Sequence, residues 1–200
     1  MSGVVPNLRS SLENQNCFQT VEKAREEVAR LYGNRLRIRV CGVCIQHNKI
    51  LLLSHRGIGN TDVFWCPPGG GVQFEESTLE ALQREFVEET GLEVEVGNLL
   101  FVNEFMQPPL HALELFFEVK IVGGRQHLGS DPEMTDANQI IQEMKWMTIE
   151  DIKKYPASEV HTMFRHCDTL NDIYELKGYL GHVPAVMSDH HSTRQIVFQN

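Results

Sequence analysis

The strongest constraint in this sequence is a proline- and glycine-rich loop followed closely by a helical segment. Pro67–Gly71 reads Pro-Pro-Gly-Gly-Gly. Prolines lack a backbone donor and glycines adopt unusual dihedral angles, so this run cannot be regular structure. From Ser77 to Thr90 apolar residues recur at helical spacing. Ser77 with Glu80 forms a capping-box pattern, and Gly91 is a stop signal. The sequence therefore predicts a loop–helix–loop.

The negative charge of the chain is concentrated in this segment. The 200 residues carry a formal net charge of −9, and residues 75–95 hold eight acidic residues and one arginine, a net of −7. Glu85, Glu88 and Glu89 fall within about a quarter to a third of the helix circumference. They repel one another there unless a cation lies among them. Arg84 precedes Glu88 by four positions and can neutralise one carboxylate. A solvated acidic face is the alternative interpretation.

This cluster favours a divalent-metal site. Hard oxygen ligands suit Mg²⁺ or Mn²⁺ and not zinc, and Mg²⁺ reaches substrates through phosphate oxygens. The glycines at 69–71 let the backbone approach a ligand closely, and a carbonyl there can complete the metal shell. Loop, carboxylates and arginine together predict metal-assisted attack of water on a polyphosphate. The acidic balance argues against a nucleic-acid partner.

Strand and helix patterns around this segment predict a single α/β or α+β domain. Residues 1–34 are interpreted as an N-terminal extension with a helix near 20–32, which packs on the domain or mediates a homodimer. Residues 35–180 form the domain and residues 181–200 a tail. The predicted strands are 36–45, 50–53, 63–66, 92–96, 99–106, 113–122 and 146–148, and the later helices are 149–155 and a last one behind Ser158 that contains Cys167.

Three features of the sequence bear on where in the cell the protein is located. No apolar run approaches the roughly 18 residues that span a bilayer, so no membrane partner is expected. Met1–Pro6 lacks the charged and apolar regions of a signal peptide. The five cysteines have no framework spacing, which fits a reducing compartment. We therefore expect a cytoplasmic protein.

The spacing of the chemistry-bearing residues resembles a complete Nudix box. Gly70 is followed after five residues by Glu76, and after seven more by Arg84–Leu92, which reads Arg-Glu-Phe-Val-Glu-Glu-Thr-Gly-Leu. The resemblance to the Nudix hydrolase family extends over about residues 35–155. Glu75 departs from the pattern, since many members have glycine there, and this changes a turn residue but no metal position.

The resemblance implies an α/β/α sandwich with a mixed sheet and a loop–helix–loop metal site. It implies hydrolysis of the pyrophosphate bond in a nucleoside diphosphate linked to another moiety, a small-molecule partner, with Mg²⁺ or Mn²⁺ as cofactor. Roles carried over by position are as follows: Glu85, Glu88, Glu89 and the Gly69 carbonyl bind metal; Glu85, Arg84 and Glu88 are catalytic; Gly70 and Gly71 contact substrate; Glu76 and Gly91 are structural.

The proton acceptor and the substrate stay open at this level. The acceptor is a box glutamate, Glu85, or a later acid, for which Glu133, Asp136 and Glu143 are candidates. Pro108, sixteen residues after Leu92, resembles the ADP-ribose pyrophosphatase subgroup, although a Pro-Pro pair is also an ordinary turn.

Arg56 ends a predicted strand and suits phosphate binding, or it lies on the surface. A nucleoside triphosphate pyrophosphohydrolase and a non-catalytic nucleotide sensor are the alternative functions. A sensor, however, has no need to keep every carboxylate of the box.

Overall fold

The computed structural model describes residues 21–58, 62–134 and 139–181. Helix α1 occupies residues 21–32. The other elements, in chain order, are β1 (Leu36–Val43), β2 (Ile45–Gln46), β3 (Lys49–His55), β4 (Phe64–Cys66), α2 (Thr78–Thr90), β5 (Leu92–Gln107), β6 (Leu110–Gly124), β7 (Ile141–Met147), α3 (Ile149–Ile152), two 3-10 helices (Thr162–His166 and Leu170–Glu175) and β8 (Tyr179–Leu180).

The strands form two four-stranded sheets. In the first, the order is β1-β6-β5-β8, with β1 parallel to β6, β6 antiparallel to β5 and β5 parallel to β8. In the second, β3 pairs antiparallel with β2 and β4 on one edge and with β7 on the other. The first sheet is therefore mixed, as predicted.

Buried clusters place both sheets between helical layers. One cluster joins residues of both sheets to α3 and the two 3-10 helices. A second joins both sheets to α2 through Ala81, Leu82 and Phe86, all fully buried. This layering is the predicted α/β/α sandwich, and it holds α2 rigidly against the strands through its apolar face.

Helix α1 packs on its own domain. Its buried face, Ala24, Val28 and Tyr32, contacts Leu53 of β3 and Ile141 of β7. The predicted amphipathic helix is therefore confirmed over residues 21–32, and its apolar face contacts this chain's own core. The homodimer stays a prediction.

Two predicted strands are one. Residues 92–96 and 99–106 belong to the single strand β5, whose register against β6 shifts between Val96 and Leu99 and again between Leu99 and Phe101. A β-bulge absorbs extra residues without ending the pairing, so the Gly97-Asn98 break bends the strand instead of terminating it.

The predicted α-helix behind Ser158 is wrong. Only Thr162–His166 is helical there, and it is a 3-10 helix. The backbone just before it pairs with β4 instead: the Trp65 N–H donates to the Glu159 carbonyl at 2.7 Å, and the His161 N–H donates to the Trp65 carbonyl at 2.9 Å. These bonds hold the chain extended where a helix would have begun.

Among the described residues, no helix combines the length and hydropathy needed to cross a membrane. The predicted C-terminal tail and the start of the N-terminal extension lie outside the described residues, apart from Gly181.

Candidate active site

The glycine loop lies against β1 so closely that its first glycine has no room for a side chain. Gly69 has φ +147°, and a Cβ there would lie 2.0 Å from the Val40 carbonyl oxygen. The Val40 N–H donates to the Gly70 carbonyl, and the Gly42 N–H donates to the Pro68 carbonyl, each at 2.9 Å. The run that cannot be regular structure is thus fixed by backbone hydrogen bonds to β1.

Helix α2 has the ends that the sequence predicts. The Ser77 hydroxyl accepts from the Glu80 N–H, and the Glu80 carboxylate accepts from the Ser77 N–H. Gly91 closes the helix with φ +69° in the left-handed region. Because a Cβ at Gly91 would also lie 2.1 Å from His127 Nδ1, the residue is structural on two grounds.

Arg84 donates hydrogen bonds to three acidic side chains of the box. Its Nε and Nη2 donate to Glu76 at 2.7 and 3.0 Å, and its Nη1 donates to both Glu85 and Glu88 at 2.9 Å. Its Nη2 also donates to the Gly71 carbonyl at 3.1 Å. The Arg84 bonds hold the pKa of Glu76 below its usual value. The predicted contact with Glu88 is present, and Glu76 braces the loop through the same guanidinium.

Glu89 is buried at the base of the cluster, with 4% of its surface exposed. Its Oε2 accepts from the Gly69 N–H at 2.8 Å, which ties the helix to the loop. Its Oε1 lies 4.0 Å from His55 Nε2. Burial lowers the pKa of His55, but Cys66 and Glu89 outweigh it and raise that pKa to about 10. Burial and the nearby Glu89 charge raise the pKa of Glu85 to about 7.

The donor set fits a hard divalent cation in its chemistry. Three carboxylates and a backbone carbonyl are oxygen ligands of the kind that Mg²⁺ and Mn²⁺ prefer. A Cβ at Gly70 would lie 2.2 Å from Glu85 Oε1. Because glycine has no side chain, the loop leaves room for this carboxylate, which lines the cavity. In the described residues, no three His, Cys, Asp or Glu side chains already stand in a metal-binding arrangement. The Arg84 guanidinium lies between two of these carboxylates, Glu85 and Glu88.

The glycine loop and helix α2 border a cavity. Its charged part contains Glu85, Glu88 and Glu89 of α2, together with Arg37 and Arg39 of β1. Its apolar lining consists of Val28, Ile58, Phe64, Phe105, Leu110, Ala112 and Ile140. Charged groups and an apolar surface thus adjoin each other in one cavity.

The predicted site residues are distributed unevenly around this cavity. Gly69, Gly70 and Gly71 line it, as do Arg84 and Glu133. Arg56 is not among the described lining residues, whereas His55 is, because neighbouring side chains at the end of β3 point in opposite directions. Glu143 lies exposed on β7 beside Lys145, away from the cavity, and Asp136 lies outside the described residues.

Two of the arginines that line the cavity, Arg37 and Arg39, were not among the predicted site residues. Arg37 and Arg39 alternate along β1, so their two side chains share one face of the sheet, and Arg35 lies just before the strand. That alternation was the available signal. Arg39 Nη2 donates to the Gly69 carbonyl at 2.9 Å, and its Nε lies 3.8 Å from Glu114. Arg39 therefore orients the carbonyl that was predicted to bind metal.

A buried polar network lies behind Arg39. Glu114 Oε2 accepts from His161 Nε2 at 2.8 Å and from Asn103 Nδ2 at 2.9 Å. His161 Nδ1 accepts from the Met163 N–H, which places the ring proton on Nε2. All three side chains of the network are buried. The network fixes Glu114, and Glu114 in turn fixes Arg39.

Replacing Glu114 with glutamine is expected to lower the free energy of unfolding by about 1–3 kcal/mol near neutral pH, since charge-assisted bonds are lost. Burial raises the pKa of Glu114, but His161, Arg39 and Asn103 outweigh this effect and hold the pKa below its usual value. A carboxylate whose pKa is lower in the folded than in the unfolded protein stabilises the fold at pH values above its unfolded-state pKa. That stabilisation is lost as the pH falls through its folded-state pKa. The difference from wild type should therefore shrink in acid.

Urea unfolding at about pH 7 and about pH 3.5 measures this change, with Glu118→Gln on the same strand as control. A Glu114→Gln difference that stays constant between the two pH values would contradict the assignment of the charged network.

Comparisons with known proteins agree with this architecture. The model of the NUDIX domain family matches residues 34–165. A solved NUDIX hydrolase from Nitrosomonas europaea superposes with a TM-score of 0.57 at 21% identity, covering 70% of this chain and 89% of that one. A MutT protein from Methanosarcina mazei Go1 superposes with a TM-score of 0.53 at 23% identity, covering 71% and 92%. Fold and box together define a Nudix-type sandwich, and the chain belongs to the Nudix family.

One curated relative is similar in sequence. An ADP-ribose pyrophosphatase of Methanocaldococcus jannaschii is 33% identical over 108 residues, which cover 52% of this chain and 63% of the relative. The match thus spans less than two thirds of that protein.

Proposed function

We propose that this protein is a pyrophosphohydrolase that cleaves a nucleoside diphosphate linked to another moiety, with ADP-ribose or a related nucleotide sugar as substrate. The observation that carries the proposal is one cavity lined by the box carboxylates, the glycine loop and three arginines, Arg37, Arg39 and Arg84. Family membership and the ADP-ribose pyrophosphatase relative support the reaction class.

The proposed cofactor is Mg²⁺, with Mn²⁺ as the alternative. Glu85, Glu88 and Glu89 would hold it, and the Gly69 carbonyl would add a ligand. When bound, such an ion neutralises phosphate oxygens and makes a water molecule more acidic.

The residues of this chain supply orientation and proton transfer. Arg84 holds Glu85 and Glu88 in place, and Arg39 holds the loop carbonyl of Gly69. Of the candidate proton acceptors, Glu85 and Glu133 line the cavity and Glu143 does not. Among the described candidates we therefore favour Glu85 or Glu133 as the proton acceptor, and replacing each with glutamine decides between the two.

The apolar part of the cavity favours a substrate with a ring system beside its phosphates. Phe64 and Phe105 lie edge to face at 5.9 Å between ring centroids, and both line the cavity. An aromatic base or a sugar face fits such a surface. A nucleoside triphosphate shares this chemistry, so it belongs to the test as a competing substrate.

A substrate panel tests the proposal. The purified full chain is incubated with ADP-ribose, other nucleotide sugars and nucleoside triphosphates, including oxidised ones, in Mg²⁺, Mn²⁺ or chelator. Phosphate-containing products are then separated and quantified. We expect AMP and ribose 5-phosphate from ADP-ribose, with turnover abolished by the chelator. Pyrophosphate release from triphosphates would favour the alternative enzyme, and binding without turnover of any substrate would favour the sensor.

The proposed location is the cytoplasm. Cys41, Cys44, Cys66 and Cys167 are buried free thiols, a state that a reducing compartment maintains. A tagged chain followed through cell fractionation tests this assignment.

A further inference from the structure

The guanidinium of Arg37 lines the cavity and has no hydrogen-bond acceptor among the described residues. It is half-buried on β1 and lines the cavity, yet no carboxylate or carbonyl of the described residues accepts a hydrogen bond from it. The two arginines nearest to it in sequence differ in this respect. Arg39 donates to Gly69, and exposed Arg35 contacts the Leu31 carbonyl. Arg37 therefore keeps its N–H donors free for a ligand.

The guanidinium is held in place by an aromatic ring. The Arg37 Cζ lies 3.9 Å from the centroid of the Tyr32 ring, a cation–π contact. The Tyr32 hydroxyl donates to Asp131 Oδ2 at 3.1 Å, which fixes the ring from the loop after β6. Stacking orients a guanidinium while leaving its edge donors unused. Helix α1, where Tyr32 lies, is thus part of the site.

The surroundings of Arg37 favour an anion. Burial and the adjacent Arg39 lower the pKa of Arg37 to about 10, so its charge is poorly compensated by the protein. An incoming anion would restore that compensation. A phosphate also matches the planar fork of a guanidinium with two parallel hydrogen bonds.

Arg37 also lies beside the glycine loop. A Cβ on Gly71 would lie 2.7 Å from Arg37 Nη2, while the carbonyl of the same glycine accepts from Arg84. The loop therefore has Arg37 on the β1 side and the box carboxylates on the α2 side. Arg37 and the box carboxylates line the same cavity, so a diphosphate in this cavity faces both groups.

We propose that Arg37 binds a phosphate of the substrate and that Tyr32 is its positioning residue. This inference rests on the proposed function for the identity of the ligand, a nucleoside diphosphate. Arg56 is thereby replaced as the phosphate-binding arginine, and the N-terminal helix becomes a wall of the cavity.

The first test replaces Arg37 with glutamine and, as control, Arg35 with glutamine. The probe is α,β-methylene-ADP, whose P–C–P link is not hydrolysed, titrated calorimetrically in Mg²⁺. We expect its Kd to rise roughly 10- to 100-fold in Arg37→Gln, the size expected from charge-assisted hydrogen bonds. Arg37→Lys should fall between, because lysine lacks the fork. Arg35→Gln should stay within about twofold of wild type, because it makes no cavity contact.

The second test examines Tyr32. Tyr32→Leu removes the ring and should raise the Kd about 3- to 10-fold, whereas Tyr32→Phe keeps the ring and should restore most of the affinity. In an Arg37→Gln background, Tyr32→Leu should have no further effect on Kd, because the positioning acts through Arg37. Melting temperatures, measured in parallel, separate loss of binding from loss of folding.

The outcomes distinguish this inference from the proposed function. If the probe binds in an Arg37-dependent manner while no panel substrate is hydrolysed, the proposed function fails and the phosphate-binding role stands. If wild type hydrolyses a panel substrate and folded Arg37→Gln binds the probe as tightly as wild type, the role of Arg37 is overturned. Absence of probe binding by the wild-type protein overturns it as well.

Discussion

Replacing Glu89 with glutamine is expected to lower kcat on the best panel substrate by about 10²–10³-fold or more, a loss of the size seen when a group that stabilises transition-state charge is removed. Glu89 is buried between the Gly69 N–H and His55. Glutamine keeps the shape and can still accept the Gly69 hydrogen bond, but it loses the charge that a divalent cation needs. The loss should therefore appear in kcat and in the metal concentration required for half-maximal activity.

The matched control is Glu95→Gln, an exposed glutamate on β5 away from the cavity. It should leave kcat within about twofold of wild type, as for a surface substitution. Circular dichroism and melting curves establish that both variants are folded. Turnover by a folded Glu89→Gln protein within about threefold of wild type would rule out Glu89 as part of the metal site.

Replacing Gly69 with alanine is expected to lower the free energy of unfolding by about 3–5 kcal/mol, at the upper end for single substitutions. The added Cβ would lie 2.0 Å from the Val40 carbonyl oxygen and 2.8 Å from the Cys41 Cα. Both atoms are backbone atoms of β1, a strand that cannot rotate aside as a flexible side chain would. The backbone of Gly69 also has φ +147°, which an alanine adopts only with strain.

The control for this prediction is Gly97→Ala in the bulge of β5. A Cβ there meets its nearest atom, the Glu118 carbonyl oxygen, at 3.4 Å, an ordinary contact. Urea unfolding should show a reduced midpoint with an unchanged m value for Gly69→Ala and a near wild-type midpoint for Gly97→Ala. Equal midpoints for the two variants would mean that β1 and the loop are not tightly apposed.

The two predictions concern different properties of one contact. The Gly69 N–H binds Glu89, and the Gly69 carbonyl binds Arg39. Glu89→Gln removes a charge while keeping this geometry, whereas Gly69→Ala displaces the geometry while keeping every charge. Loss of activity with retained stability in the first variant, and loss of both in the second, would separate chemistry from scaffolding.

Part of the site could be predicted because its determinants are local. The ends of α2 depend on Ser77, Glu80 and Gly91, and the contact of Arg84 with Glu88 follows from helical spacing. Residues three or four apart on a helix are neighbours in any fold. The glycine loop was predictable for the same reason, since Pro67–Gly71 excludes regular structure by itself.

The predictions failed where a segment forms hydrogen bonds with a strand that is distant in the sequence. Residues 158–167 have apolar spacing that suits a helix, but the backbone of Glu159 and His161 forms hydrogen bonds with β4. The break predicted at Gly97-Asn98 is bridged by continuous pairing with β6. In both cases, hydrogen bonds to a strand remote in the sequence outweigh a weak local preference.

The sequence by itself determined the box: its loop, its helix with both caps and the carboxylates on one face, all by spacing within 25 residues. Only the tertiary structure decided what faces those carboxylates. The Tyr32–Asp131 and Glu114–His161 contacts join residues 99 and 47 positions apart, and no periodicity in the chain encodes such pairs. Helical and strand periods specify which face of an element is buried. Which remote side chain meets that face depends on how the layers pack, and this packing brings Arg37 into the cavity and leaves Arg56 outside the described lining.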